Sequence, residues 1–237
     1  MSQEKDSTDD GLGKLEDTTV IIQGRTDPEC IAHYAERYGP SCIISTWEDD
    51  PVDPMGMRIV RSLKPGDPGL QHSHFQIVST LAGLSACNTT WVIKVRGDEY
   101  FSNLEYVVDE LKRTDKVLTL PIFFRPHAVF PFHPSDHLLA ATRGQLVMMY
   151  RNALSRRELK DWPYRDIPEQ LLGAAYLEAA EGTMQIKKEH MLKHFDILSL
   201  DRMKNYRVTW NGAGKRFYND FSPTADGCPM IERMSDL

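Results

Sequence analysis

Short runs of β-branched and aliphatic residues alternate with segments of helical periodicity through the first half of the chain. The run 18–23 predicts a buried strand, and Pro28 opens a helix that ends at Gly39 and Pro40. The pattern continues with strands at 41–47, 57–61, 91–96 and 117–120 and helices at 71–86 and 104–111. Because strands joined through helices form parallel sheets covered by helices, we predict an α/β fold with a mixed, mostly parallel sheet flanked by helices.

The second half is less regular. Residues 121–134 are rich in proline and phenylalanine and predict a loop or edge ribbon, followed by an apolar strand at 136–141. Helices are predicted at 146–154 and 168–180, and the chain beyond Thr209 is predicted to be irregular. We predict a disordered lead-in at 1–17, because it is polar and acidic, and one domain at 18–237.

Composition excludes several classes of protein. A net charge of −6 does not suit a nucleic-acid surface, so no nucleic acid is expected as a partner. The four cysteines lack C-x-x-C spacing, which favours buried, reduced thiols over a structural zinc site. No secretory signal and no transmembrane segment are recognisable, so a cytoplasmic location is expected, with peripheral membrane contact through a partner or a lipid substrate left open.

Polar residues follow three of the predicted strands. The three clusters are Gln23-Gly24-Arg25, Thr46-Trp47 with the acidic loop behind it, and Arg96-Gly97-Asp98-Glu99. Ligands of open α/β sheets bind outside the carboxyl ends of the strands, where these clusters would converge. The sequence therefore predicts a binding site at this edge.

Each cluster can be interpreted either as part of a ligand-binding site or as a structural feature without a function. Asp98 and Glu99 suit Mg²⁺ or Mn²⁺, which bind carboxylates together with substrate phosphates, but they also suit a solvated acidic turn. Gly24 and Arg25 suit a phosphate or a plain strand-to-helix turn. Trp47 suits stacking on a base or a place in the core.

Several known motifs are absent from the sequence. There is no G-x-x-x-x-G-K-[ST], no G-x-G-x-x-G and no G-x-S-x-G, which argues against a P-loop, a dinucleotide fingerprint and a hydrolase elbow. His190 and His194 lack the H-E-x-x-H pattern of a zinc protease. The triplet Ser135-Asp136-His137 is either a polar turn or part of a site.

The segments Val20–Gly24, Ile44–Glu48, Gln76–Leu84 and Lys94–Glu99 together resemble the WavE family, which is associated with lipopolysaccharide core synthesis. The triplet at Ser135 and the segment Pro168–Gln170 are similar to later segments of that family. The resemblance implies a GT-A-like glycosyltransferase fold, a nucleotide-sugar donor and a divalent metal ion at Asp98 and Glu99. It departs from the fold's usual Asp-x-Asp, because no second Asp stands two residues after Asp98.

The resemblance also implies roles for individual residues. The residues expected to bind the nucleotide-sugar are Gln23, Gly24, Arg25, Thr46, Trp47, Gln76, Arg96 and Asp98. Glu169 is the candidate base and Asp136 the candidate acceptor-binding acid, although a helix N-terminus would stabilise the anion of Glu169 and weaken it as a base. Two other functions stay open: a catalytically silent nucleotide-sugar or glycan-binding module, and a binding protein for another phosphate ligand.

Overall fold

The sheets follow the predicted run of strands. A computed structural model describes residues 15–210, 215–219, 230 and 232–237. A seven-stranded sheet has the order β3-β2-β1-β4-β7-β6-β8, and a three-stranded sheet has the order β10-β9-β5. The strands are β1 (Thr18–Gln23), β2 (Cys42–Trp47), β3 (Arg58–Ser62), β4 (Trp91–Arg96), β5 (Tyr100–Phe101), β6 (Val117–Thr119), β7 (Leu138–Thr142), β8 (Phe195–Ile197), β9 (Tyr206–Trp210) and β10 (Lys215–Tyr218).

Helices cover both faces of the large sheet. They are α1 (Pro28–Tyr38), α2 (Ser73–Ala86), α3 (Leu104–Leu111), α4 (Arg143–Arg157), α5 (Pro168–Glu181) and α6 (Lys188–His194). In β1, Val20 and Ile22 pack in the core that contains α1 and α3, whereas Ile21 packs in the core that contains α2, α4 and α5. This alternation divides the interior into two layers. The predicted α/β fold class is confirmed.

Local signals in the sequence explain where the helices begin. The Asp27 side chain accepts a hydrogen bond from the Glu29 amide at the start of α1. Thr142 and Gln145 form a capping box at the start of α4. Proline opens α5, and Gly182 ends it with a φ of 65°.

Strand direction brings distant residues to one edge of the large sheet. Only β7 runs against the other strands of this sheet. The parallel strands β1, β2 and β4 therefore end at the same edge, and β7 begins there, with Leu138 paired to Val95. Asp136 and His137 lie just before β7, so they are at the edge of the sheet where β1, β2 and β4 end.

The structure corrects the end of the chain. The chain after Thr209 is predicted to be irregular, but residues 215–218 form β10, which pairs antiparallel with β9. Residues 211–214, 220–229 and 231 lie outside the described residues. The periodic signal is missing because the β9 residues Tyr206, Arg207, Val208 and Thr209 are all buried, so apolar and polar residues do not alternate. Helix α6 and strand β8 were likewise not predicted.

Two further boundaries differ from the prediction. Helix α2 begins at Ser73 rather than 71, because Gln71 and His72 have left-handed backbones with φ of 47° and 63°. Residues 1–14 of the predicted lead-in lie outside the described residues, whereas Leu15 is buried and its amide donates to Ser41 Oγ at 3.0 Å.

The cysteines Cys30, Cys42 and Cys87 are buried and free, as predicted, and Cys228 lies outside the described residues. Among the described helices, none has the length and apolar character needed to cross a membrane.

Candidate functional site

Two adjoining cavities open at the edge where β1, β2 and β4 end. The first has a volume of about 410 Å³ and the second a volume of about 570 Å³. Both are lined by Gln71, His72, Gln76, Arg96 and Asp136. The first is further lined by Gln23, Gly24, Arg25, Trp47, Lys64, Phe75 and Asp98, and the second by Phe123, Arg125, Phe130, His133, His137, Ile167, Pro168, Glu169 and Thr209.

Glycines form the turns after β1 and β4 behind the first cavity. Gly24 has a φ of 89°, and its amide donates to Ser45 at 2.9 Å. The Gly97 amide donates to Gln23 at 2.8 Å, and a Cβ at Gly97 would lie 2.6 Å from the Arg25 carbonyl oxygen. A larger residue at position 97 would therefore push the turn after β4 away from the turn after β1.

An aromatic group forms one wall of the first cavity. The rings of Trp47 and Phe75 lie 5.3 Å apart, and the His72 ring stacks on Phe75 at 5.7 Å. Trp47 is only 4% exposed, so it belongs to the packed interior and also borders the cavity. This exposure favours the core interpretation of Trp47, and its stacking on a base stays a prediction.

Arg96 and Asp98 form a bidentate ion pair beside both cavities. Nε and Nη2 of Arg96 each donate to one Asp98 oxygen at 3.0 Å. The Arg96 side chain is 21% exposed and the Asp98 side chain 27%. Burial raises the pKa of Asp98, but the charge and hydrogen bonds of Arg96 outweigh burial and hold that pKa below its ordinary value.

Glu99 is turned into the protein. Its side chain is 0% exposed, and its oxygens lie 2.7 Å and 3.0 Å from His137 Nδ1. The Thr209 amide of β9 donates to Glu99 Oε1 at 2.9 Å. Glu99 thus joins the turn after β4 to the residue that precedes β7 and to the small sheet, and it lines neither cavity.

The carboxylates predicted to bind metal do not fit a metal ion in this arrangement. Each oxygen of Asp98 already accepts a hydrogen bond from Arg96, and Glu99 is buried against His137. Within the described residues, no three His, Cys, Asp or Glu side chains cluster in a way that could hold a metal. A divalent cation beside Asp98 would also face the positive guanidinium.

Asp136 lies where the two cavities meet. One of its oxygens accepts a hydrogen bond from Gln76, whereas the other, Oδ1, is buried without a partner among the described residues. The fully buried Lys94 donates to the Asp136 carbonyl oxygen at 2.6 Å. Burial raises the pKa of Asp136, but Lys94, His137 and Arg96 outweigh it and hold the pKa at about 2. Asp136 therefore remains an anion with a free acceptor atom.

Glu169 lines the second cavity at the start of α5. Its side chain is 20% exposed, and Oε2 lies 3.7 Å from His133 Nε2. Burial and the charge of Asp136 raise the pKa of Glu169 to about 7, so these effects outweigh the helix N-terminus expected to stabilise its anion. Burial lowers the pKa of His133 to about 4, which makes it a neutral neighbour near pH 7.

The structure brings most of the residues predicted to bind a ligand together. Thr46 and Glu99 are the exceptions, because both are fully buried and line neither cavity; Thr46 donates to Asp50 Oδ2 at 2.5 Å. Several residues of the site were not predicted. Lys94 and His137 stood inside segments singled out in the sequence, whereas no pattern indicated the cavity-lining residues Lys64, Phe75 and Thr209.

No protein-family model and no curated protein matches the chain, so its resemblance to the WavE family stays a prediction. Solved structures match parts of it. Glucosyl-3-phosphoglycerate synthase from Mycobacterium tuberculosis, in complex with Mn²⁺, UDP and glucosyl-3-phosphoglycerate, matches with 13% identity and a TM-score of 0.39 over 55% of this chain and 58% of that chain. Mannose-1-phosphate geranyltransferase from Thermus thermophilus matches with 13% identity and a TM-score of 0.39 over 72% of this chain and 69% of that chain. These likenesses assign no family.

Proposed function

We propose that this chain is a glycosyltransferase that moves a hexosyl or deoxyhexosyl group from a nucleotide-sugar to a glycan or glycolipid hydroxyl. The observation that carries the proposal is the pair of cavities that share Arg96 and Asp136. Two substrates bound in adjoining cavities would meet at these side chains, as a group transfer between them requires.

The donor fits the first cavity. Trp47 and Phe75 offer aromatic surface for a base, and Arg25, Lys64 and Arg96 offer positive charge for a diphosphate. Gln23 lines the same cavity and is held by a hydrogen bond from its Nε2 to Ser79 Oγ at 2.8 Å. The nucleotide would therefore lie along the ends of β1, β2 and β4.

The acceptor fits the second cavity, where Glu169 can act as a base. In the proposed inverting reaction, the acceptor oxygen forms a bond to the anomeric carbon while Glu169 takes the hydroxyl proton. The bond from the anomeric carbon to the leaving oxygen breaks, and its electron pair leaves with the nucleoside diphosphate. The unpartnered Oδ1 of Asp136 would accept a hydrogen bond from a sugar hydroxyl and orient it.

The divalent ion, manganese or magnesium, is left out of this proposal because the carboxylates predicted to hold it are paired with Arg96 and His137. Lipopolysaccharide or another polysaccharide as the product rests on the WavE resemblance alone. The cytoplasmic location and peripheral contact with a membrane stay expectations from the sequence.

Binding and turnover of nucleotide-sugars test the proposal in two steps. A nucleoside diphosphate at a hundredfold excess over its Kd should stabilise the folded protein by about 2.7 kcal/mol, measured by thermal shift. Release of free nucleotide from a panel of nucleotide-sugars, stimulated by glycan acceptors, would then identify the transferase. Binding without release under any acceptor would instead identify the catalytically silent module. A protein that binds none of the panel contradicts both.

Trp47→Phe should weaken binding of a nucleoside diphosphate by about 1 kcal/mol, at the low end of the stacking scale, because the smaller ring covers less of the base. Isothermal titration calorimetry measures this loss. Trp162→Phe is the matched control: Trp162 is also 4% exposed, but its Nε1 donates to Glu178 and it lines neither cavity. The control should lower the melting temperature and leave affinity unchanged. Equal affinity in both variants would remove Trp47 from the site.

A further inference from the structure

Arg96 occupies the place between the acids that were predicted to hold a metal ion. Its Nε and Nη2 donate to Asp98, and its Nε also lies 3.6 Å from Glu99 Oε1. The Nη1 end makes no hydrogen bond or ion pair to any residue in the described part of the chain. Arg96 lines both cavities, so a ligand there could bind this end without displacing a protein partner from it.

The acids around Arg96 hold the guanidinium in a fixed direction. A bidentate carboxylate fixes the plane of an arginine fork, and Asp98 engages one side of it. Glu99 cannot swing toward the cavity without leaving His137 and the Thr209 amide, both buried partners. A metal ion at Asp98 would have to displace the guanidinium or lie against it, and either change weakens a pair of charge-assisted hydrogen bonds.

Resting on the proposed function, we propose that Arg96 binds the donor's diphosphate directly and supplies the positive charge that a divalent metal ion supplies elsewhere, with Asp98 as its positioning residue. Arg25 and Lys64 line the same cavity and add positive charge around the phosphates. The donor site then contains three basic side chains against two acids, Asp98 and Asp136.

The chemistry of the leaving group is consistent with this assignment. As the bond to the anomeric carbon breaks, negative charge grows on the diphosphate oxygens, and a preorganised cation stabilises it. Burial lowers the pKa of Arg96, but Glu99 and Asp98 outweigh burial and raise that pKa above its ordinary value. The guanidinium therefore keeps its charge at every working pH and takes part in no proton transfer.

Calorimetric titration of the full chain with UDP, GDP and inorganic pyrophosphate, once in EDTA and once in Mn²⁺, tests the inference. At least one nucleoside diphosphate should bind wild type with affinities that agree within about threefold in the two media. Arg96→Gln should weaken binding in EDTA by about 10–150-fold, the range of hydrogen bonds to charged groups. Arg96→Lys keeps the positive charge but loses the planar guanidinium, so its affinity in EDTA should lie between those of wild type and Arg96→Gln. It provides a second variant in case Arg96→Gln misfolds.

Arg113→Gln is the control for loss of a positive charge, because Arg113 is exposed and, among the residues that the structure describes, forms an ion pair only with Glu110 three residues away. Its affinity should equal that of wild type. Wild-type binding that weakens more than tenfold in EDTA overturns the inference and leaves the proposed function standing. Unchanged affinity in both Arg96 variants also overturns it. A wild-type protein that binds none of the probes in either medium overturns the inference together with the proposed function.

Discussion

Glu169→Gln is expected to lower turnover by ~10²–10⁴-fold while the affinity for nucleotide-sugar stays near wild type. Glutamine keeps the shape of the side chain but cannot take a proton from the acceptor. Initial rates of nucleotide release and calorimetric titration of the donor measure the two quantities separately. Because Glu169 lines only the second cavity, a loss of donor affinity is not expected.

The raised pKa of Glu169 predicts two effects of pH, one on the turnover of wild type and one on the stability of Glu169→Gln relative to wild type. The base must be ionised, so wild-type turnover should rise as pH increases through about 7. The folded protein keeps a proton that the unfolded chain, with the ordinary value of 4.5, releases. This contribution to stability is complete below about pH 4.5 and is lost as pH rises through the folded pKa of about 7. Glu169→Gln should therefore gain stability relative to wild type between pH 5 and pH 8, measured by chemical denaturation.

Glu189→Gln is a matched control, because Glu189 is also an acid in the first turn of a helix but is exposed on α6. It should keep both turnover and its dependence on pH. Turnover of Glu169→Gln within a few-fold of wild type would move the base elsewhere, and Asp136→Asn would be the next variant. If neither variant loses turnover, a retaining mechanism without an enzymic base explains the transfer better.

Gly173→Ala is expected to lower the free energy of unfolding by about 3 kcal/mol, the upper part of the range for overpacking. Gly173 lies in α5, where a Cβ would overlap the Phe132 carbonyl oxygen and approach Pro134 Cδ to 2.6 Å. Backbone cannot rotate away as a side chain can, so α5 would have to move. Because α5 carries Glu169, turnover should fall as well. Urea denaturation and the rate of nucleotide release measure the two losses.

Gly144→Ala is the control for the glycine substitution, because Gly144 also lies in a helix. A Cβ there meets only Thr142 Oγ1 at 4.0 Å. Alanine forms helices better than glycine, so this variant should equal wild type or gain about 0.5–1 kcal/mol. If Gly173→Ala unfolded at the same urea concentration as wild type, the close contact between α5 and the segment before β7 would be refuted.

The sequence predicted six of the seven strands of the large sheet, all but β8, because buried runs such as those of β1 and β4 are continuous and short. It also placed Gln23, Trp47 and Arg96 at one edge, since the carboxyl ends of parallel strands meet there. These predictions need only the local pattern of apolar residues and the rule that parallel strands end at the same edge of a sheet. The aromatic segment before β7 was equally visible, although its packing against α5 was not.

The surroundings of Glu99 could not be predicted in the same way. Its partners His137 and Thr209 are separated from it by 38 and 110 residues. From local sequence, an acid after Asp98 looks like a second metal ligand, and only the fold shows that it is buried. The hairpin of β9 and β10 was missed for a related reason. Arg207 is fully buried there through ion pairs with Asp27 and Glu29, so a charge stands at a core position.

The boundary between the two cavities has a thermodynamic consequence. A ligand in either cavity contacts the same Arg96 and the same Asp136, so its charge and hydrogen bonds alter the affinity of the other cavity for its own ligand. Binding free energies at the two sites are then linked, and linkage is reciprocal. By whatever factor the donor strengthens or weakens the binding of the acceptor, the acceptor changes the binding of the donor by the same factor.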